Sequence, residues 1–263
     1  MRFRSLPERT AALRTTWWCA VLALGVALCA SGCSTVQTPS PKDPYEGFNR
    51  SVYKFNDTVD TAVLKPVATG YKTVVPSPVR TCVSNVFSNV GELWSALNSA
   101  LQGKGEECAN TLMRFALNST FGFAGCLDIA SEIPGLQQRN EDLGQTLGKW
   151  GMAPGPYLVL PFFGPSTVRD AAGFSVELVT DPVTNADNVR ARNSATALRF
   201  VSRRAELLDA SRILEGAALD PYSFLRDAYL QRRLNQVYDG EPPDEPPPPN
   251  YDDQAPADAP ATK

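Results

Sequence analysis

Residues 141–170 read EDLGQTLGKWGMAPGPYLVLPFFGPSTVRD, and their composition constrains the fold more than any other stretch of the chain. The segment is strongly apolar, yet glycines at 144, 148, 151, 155 and 164 and prolines at 154, 156, 161 and 165 punctuate it. An ordinary amphipathic helix does not tolerate that density, because an interior Gly costs about 1 kcal/mol and an interior Pro about 3. Left in water, such a segment is an aggregation hazard. It must be covered by protein or by lipid, in an irregular shape set by its glycines and prolines.

Outward from this segment the periodicity is helical. Asp43-Pro44-Tyr45-Glu46 presents an N-cap, a Pro at N1 and a Glu at N3. Phe48, Val52, Phe55 and Val59 then recur at helical steps. Pro66 is expected to open a short helix through Val75, and Ser77-Pro78 to cap the longest one, reaching Leu101. On that helix Val79, Val83, Val86, Val90, Leu93 and Leu97 form a stripe, which Phe87, Trp94 and Leu101 widen beyond the usual arc. The breadth predicts a helix lying in the plane of a leaflet, with Trp94 near the headgroups. Gln102–Gly105 makes the turn and Cys108–Leu117 returns. Ser166 reads as the N-cap of a helix through Val179, an Arg-rich helical stretch follows, and Asp220-Pro221 starts a last helix ending at Tyr238. Sustained alternation and Asn-Gly hairpin signals are missing, and Leu158–Leu160 is too short to found a sheet. The expected fold is all-α.

The amino end supplies the address. Arg2, Arg4, Arg9 and Arg14 precede the apolar run Trp17–Ala30, and Ser31-Gly32-Cys33 follows. Fourteen apolar residues fall short of the roughly 20 needed to span a bilayer, and the pattern is that of an export signal. The small residues before Cys33 resemble the bacterial lipobox, with Ala30 standing where Leu is usual. That resemblance implies lipidation of Cys33, and Ser34 in place of Asp implies sorting to the outer membrane. An ordinary signal peptide cut nearby is the competing reading. The expected organisation is a signal peptide 1–32, a linker 33–42, a helical domain 43–238 and a disordered acidic, Pro-rich tail 239–263.

Composition excludes several chemistries. The chain has no histidine, which removes Ser-His and Cys-His nucleophile pairs and nearly all catalytic zinc sites. Ser51-Val52-Tyr53-Lys54 matches S-x-x-K without its companion motifs, and no phosphate-binding loop of the GxxxxGK[ST] type occurs. No metal or other cofactor is expected, and no enzymatic activity. Cys33–Tyr238 balances 20 basic against 20 acidic side chains, so nothing suggests a nucleic-acid footprint. Cys82, Cys108 and Cys126 remain in an oxidising compartment. If residues 78–101 and 106–120 are antiparallel helices turning near Lys104, facing positions sum to about 208, as 82 and 126 do. A Cys82–Cys126 bridge with Cys108 free is therefore expected, three buried thiols being the alternative.

The blocks DPYEGFNRSVYKFN (43–56), ALNSTFGFAGCLDIAS (116–131), EDLGQTLGKWG (141–151), GPYLVLPFFGPSTVRD (155–170) and DPYSFLRDAYLQRR (220–233) resemble those of the MlaA (VacJ) outer-membrane lipoproteins. The resemblance implies a helical ring embedded in the periplasmic leaflet of the outer membrane, with a central amphipathic channel. It implies association with a trimeric porin, removal of phospholipid from the outer leaflet, and delivery to a soluble periplasmic carrier. Within that frame the expected lipid-contacting wall is Phe121, Phe123, Leu143, Leu147, Trp150, Tyr157, Leu158, Phe162 and Phe163; the plainer reading makes about half of them core. Gly144 and Gly148 allow close approach of a helix or of a lipid tail. Arg169 beside Asp170 suits either a headgroup phosphate or an internal ion pair. Two other functions fit parts of the sequence: a structural lipoprotein bracing a porin, and a membrane-surface lipid hydrolase, which the lack of His disfavours.

Overall fold

The computed structural model describes residues 43–243. The signal segment, Cys33, the linker through 42 and the tail from 244 lie outside the described residues. Helix α1 (Glu46–Val59) runs through a π-helical turn (Asp60–Leu64) directly into α2 (Lys65–Val74). Pro66 thus stands in the first turn of α2, as expected, although α2 continues from the π-helical turn without a break. It has no N–H to donate and its ring crowds the preceding turn, and the widened turn just before it accommodates both defects. Asp43 is not the cap of α1, because that position falls to Tyr45. Its buried carboxylate instead accepts from Asn49 Nδ2 (2.8 Å) and Tyr222 Oη (2.5 Å).

Helices α3 (Ser77–Leu101) and α4 (Gly105–Thr120) fold back on one another. A disulfide joins Cys82 to Cys126, and Cys108 is the free cysteine among the described residues. After a 3₁₀ turn (Ala130–Glu132) comes α5 (Leu143–Lys149), whose cap Asp142 accepts from Gln145 N. Helix α6 (Val168–Thr180) is capped by Thr167, not by Ser166. Helices α7 (Val189–Ala217) and α8 (Pro221–Val237) complete the order, and α7, not α3, is the longest. Asp239 is tied to the helical body by Lys149 (3.2 Å) and Lys104.

The fold is mainly helical, with one correction to the sequence expectation. Strands β1 (Tyr157–Leu160) and β2 (Gly164–Thr167) form an antiparallel hairpin with Tyr157 opposite Thr167 and Leu160 opposite Gly164. Two asparagines on α1 support it. Asn49 Nδ2 donates to Tyr157 O (3.0 Å) and its Oδ1 accepts from Val159 N (2.9 Å). Asn56 repeats the grip on Leu160 O (2.9 Å) and Phe162 N (2.8 Å). Seven helical residues rise about 10.5 Å and three strand residues about 10 Å, so two Asn one heptad apart match the strand edge. A pair of four-residue strands is too short to stand alone, and side chains from another element supply the missing partners.

The apolar core is small and divided. Tyr157, Val159 and Tyr222 are buried together with Val52 and Tyr229 against them. Ala68, Ala205 and Leu208 form a second cluster, capped by Tyr71, where α2 meets α7.

Candidate functional site

Helix α3 presents its faces in the reverse of the order water selects. Asn89, Glu92, Ser95, Ala96, Asn98 and Ser99 are its buried residues, while Val79, Leu93, Leu97 and Leu101 are exposed and Trp94 is half-buried. Helix α4 repeats the pattern, burying Thr111, Arg114 and Asn118 and exposing Leu112 and Met113. Among the described residues 19 polar or charged side chains are buried against 10 apolar ones. A water-soluble domain shows the opposite balance, since Asp, Glu, Lys and Arg are almost never fully buried unless paired.

Most of the buried charges are paired in two centres, while Asp43 faces Arg226 (3.7 Å) and Glu141 faces Lys104 (3.1 Å). Arg114 is 1% exposed; its Nε donates to Glu92 (2.8 Å), Nη2 to Asp128 (2.9 Å) and Nη1 to Leu136 O (2.7 Å). Asp128 also accepts from Asn118 Nδ2 (2.9 Å), which ties the loop after α4 to the same hub. Burial raises the Glu92 carboxyl above its ordinary range although Arg114 pulls the other way. The second centre is Arg233, which donates to both oxygens of Asp142 (2.5 Å each) and to Asp170 Oδ1 (3.0 Å). Arg169 and Tyr229 Oη also bind Asp170, at 2.9 and 2.8 Å. Burial pushes Asp142 and Asp170 up, yet the facing Arg233 outweighs it and holds both below the ordinary carboxylate range. Arg169 thus belongs to an internal ion pair.

The tight glycines belong to this second centre. A Cβ on Gly144 would lie 2.4 Å from Arg233 Nη2 and 2.6 Å from Asp170 Oδ1, and one on Gly148 would lie 2.7 Å from Arg169 Nη1. Gly173 on α6 meets Gly144 N at 2.6 Å by the same measure. These glycines let α5 approach charged side chains and α6, the helix-packing alternative.

Of the nine wall residues, Phe121, Phe123, Trp150, Phe162 and Phe163 are exposed, at 68, 77, 59, 59 and 45%. Leu143, Leu147 and Leu158 are half-buried. Tyr157 is the correction: it is 1% exposed, with its ring edge toward Tyr222, because the hairpin register turns it inward. Phe123 (φ 52°) and Phe162 (φ 66°) hold left-handed backbone conformations that bulky residues rarely adopt. The loop after α4 and the hairpin tip thus project these rings at a conformational cost.

Sequence reasoning missed that the outward apolar set also takes in Phe55, Val63, Val67, Leu112 and Met113. It missed the Arg114 hub as well. The available signal was the polar row Asn89, Glu92, Ser95 and Asn98, at steps of three along an otherwise apolar helix. No helix among the described residues is long and apolar enough to cross a membrane, and no side-chain cluster among them could hold a metal.

A family model described as MlaA lipoprotein matches residues 41–236. The chain is 37% identical over 217 residues to the intermembrane phospholipid transport system lipoprotein MlaA of Escherichia coli strain K12, covering 80% of this chain and 85% of that protein. It is 31% identical over 222 residues to the protein of the same description from Haemophilus influenzae, covering 83% and 88%. A solved structure described as "Structural basis for maintenance of bacterial outer membrane lipid asymmetry" superposes with a TM-score of 0.65 at 33% identity, covering 74% of this chain and 98% of that one. A polar interior, an apolar exterior and these matches lead to one conclusion: the chain belongs to the MlaA lipoprotein family.

Proposed function

We propose that this protein is an outer-membrane lipoprotein, anchored through Cys33 in the periplasmic leaflet, that removes phospholipid from the outer leaflet. It passes the lipid to a soluble periplasmic carrier for transport toward the inner membrane, and it works beside a trimeric porin. The helices enclose an amphipathic channel. The observation that carries this reading is the inverted distribution of side chains, with leucines and phenylalanines outward and paired charges inward. A phospholipid exposes about 30 tail methylenes, so carrying it through water costs roughly 24 kcal/mol at ~0.8 kcal/mol each. Dragging its headgroup through hydrocarbon is also costly. A wall with one apolar and one polar side lowers both barriers. The lack of a nucleotide-binding motif fits a passive conduit whose direction is set by other components.

The test is outer-leaflet phospholipid content, read in intact cells as surface acyl transfer onto lipid A. A deletion strain is complemented with wild type or with Cys33→Ser. Wild type is expected to lower the signal and Cys33→Ser to leave it high. An unchanged signal with wild type at full expression would leave a porin-bracing lipoprotein as the better description.

A further inference from the structure

Three residues of α3 grip one loop. Cys82, Asn85 and Asn89 follow at steps of three and four, which sets them on a single face of the helix. Cys82 is bridged to Cys126, Asn85 Nδ2 donates to Cys126 O (3.0 Å), and Asn89 Nδ2 donates to Ser119 Oγ (2.9 Å). Gly125 lies so close to this face that an added Cβ would stand 2.7 Å from Asn89 Cβ. From these holds the loop carries Phe121 and Phe123 outward.

That projection has a cost. Phe123, Ala124 and Gly125 are consecutive left-handed residues, at φ 52°, 57° and 88°. For Phe and Ala this region is unfavourable, because Cβ crowds the carbonyl oxygen. Two such residues cost about as much as two neutral hydrogen bonds return, so the pair of asparagines does little more than offset them. The covalent link is the remaining hold. Both ends of the loop are fixed separately: Asn118 donates to Asp128 (2.9 Å), and Asp128 accepts from Arg114. Any opening is therefore confined to the residues between them.

Both bridge cysteines are half-buried, within reach of a reductant at the surface. The free Cys108 is not an internal attacker. The Asn89–Ser119 bond shows that facing positions of α3 and α4 sum to about 208, so Cys108 faces α3 near its C-terminal end. That end lies about 27 Å along the helix from Cys82, at about 1.5 Å per residue.

We propose that the Cys82–Cys126 bridge is a redox-sensitive clasp that sets whether the Phe121–Cys126 loop is held out from α3. A thiolate of an external dithiol attacks one bridge sulfur and forms a mixed disulfide, and its second thiolate then attacks that bond. The dithiol leaves as a disulfide, two electrons and two protons pass to the protein, and Cys82 and Cys126 become thiols. The released loop leaves the left-handed region, and Phe121 and Phe123 lose their fixed projection while α3 and α4 stay packed.

Amide hydrogen exchange on the full chain in detergent tests this, with and without dithiothreitol. Exchange is read over seconds to minutes, before global unfolding contributes. The reporters are Ala124 N, Gly125 N and Leu127 N, which donate to Ser119 O (3.1 Å), Asn118 O (2.8 Å) and Gly122 O (2.9 Å). Reduction is expected to speed their exchange at least about tenfold and to leave the amides of α4 from Thr111 to Leu117 unchanged. The double variant Cys82→Ser/Cys126→Ser should match reduced wild type and ignore dithiothreitol. Adding Ala124→Gly to it should slow the loop again by about threefold, because Gly takes the left-handed region without a Cβ penalty. A bridge that contributes only global stability gives no such rescue. Unchanged loop exchange in protein whose thiols titrate as reduced overturns the proposal. So does an equal rise across the loop and α4, or a bridge that dithiothreitol leaves intact in the folded protein. If the serine variants fail to fold, the comparison on wild type decides alone.

Discussion

At the scale of single residues, this molecule depends on buried charges whose partners leave little slack. Arg114 serves Glu92 and Asp128 at once, and each carboxylate loses its main counter-charge if the guanidinium goes. Arg114→Met is expected to destabilise by about 3–5 kcal/mol, because breaking a buried pair strands the other charge. Thermal unfolding in detergent checks this, and adding Glu92→Leu to the same chain should recover part of the loss. The pH dependence follows from the second centre. Asp142 and Asp170 are held below their ordinary 3.8, so their contribution is present above that value and is lost as pH falls through the lowered folded-state values. Glu92 has the opposite sign: raised above 4.5, it favours folding below that value and loses this contribution as pH rises. Denaturant midpoints should therefore drop on acidification below about pH 4, and Asp142→Asn should make that drop shallower. An equally steep drop in the variant would remove Asp142 from the account.

At the scale of elements, packing distance separates glycines that look alike in the sequence. Gly144 sits where an added Cβ would meet Arg233 and Asp170, whereas Gly70 on α2 has open space around it. Gly144→Ala is expected to cost about 1–3 kcal/mol or more through overpacking. Gly70→Ala should be neutral or stabilising by up to about 1 kcal/mol through helix propensity. Comparing the two melting curves decides whether the α5–α6 approach is as tight as described. The Cys82–Cys126 bridge fastens the first turns of α3 to the loop that carries Phe121 and Phe123, across 44 residues of sequence. Cys82→Ser, or reductant on the wild type, is expected to lower stability by about 2–4 kcal/mol. Reductant should then have no further effect on the Cys82→Ser variant.

At the scale of the whole molecule, the apolar exterior explains why so polar an interior can persist. Leu93, Leu97 and Leu101 face outward on α3, so lipid, not protein, is their cover in the proposed setting. Replacing all three by Ser leaves the interior untouched and removes burial worth about 1.5–3 kcal/mol per leucine. Vesicle flotation of the Cys33→Ser protein should weaken more than about 100-fold in this triple variant. Unchanged flotation would mean that the α3 face does not enter the membrane.

The amino-acid order by itself determined the helical character, the turn between α3 and α4, and the irregular Gly/Pro segment. Each of these is local: 3.6-residue periodicity, capping and the conformational limits of Gly and Pro act within a few neighbours. The family blocks and the 82–126 pairing were legible too, because spacing on two facing helices carries that information. The breadth of the α3 stripe pointed to a lipid-facing helix, with Leu97 outward, but tertiary structure alone decided what its inward side meets. Periodicity shows that a helix has two faces and does not name the partners of either, so the charged hub around Arg114 was not legible. The hairpin at Tyr157–Thr167 was hidden for a related reason: its partners, Asn49 and Asn56, lie about a hundred residues away. Arg169 joined Asp170, and Tyr157 left the lipid wall for the core, because only the folded chain brings Arg233, Tyr222 and Tyr229 to them. Long-range pairing of buried polar groups is the part of this fold that local sequence rules do not encode.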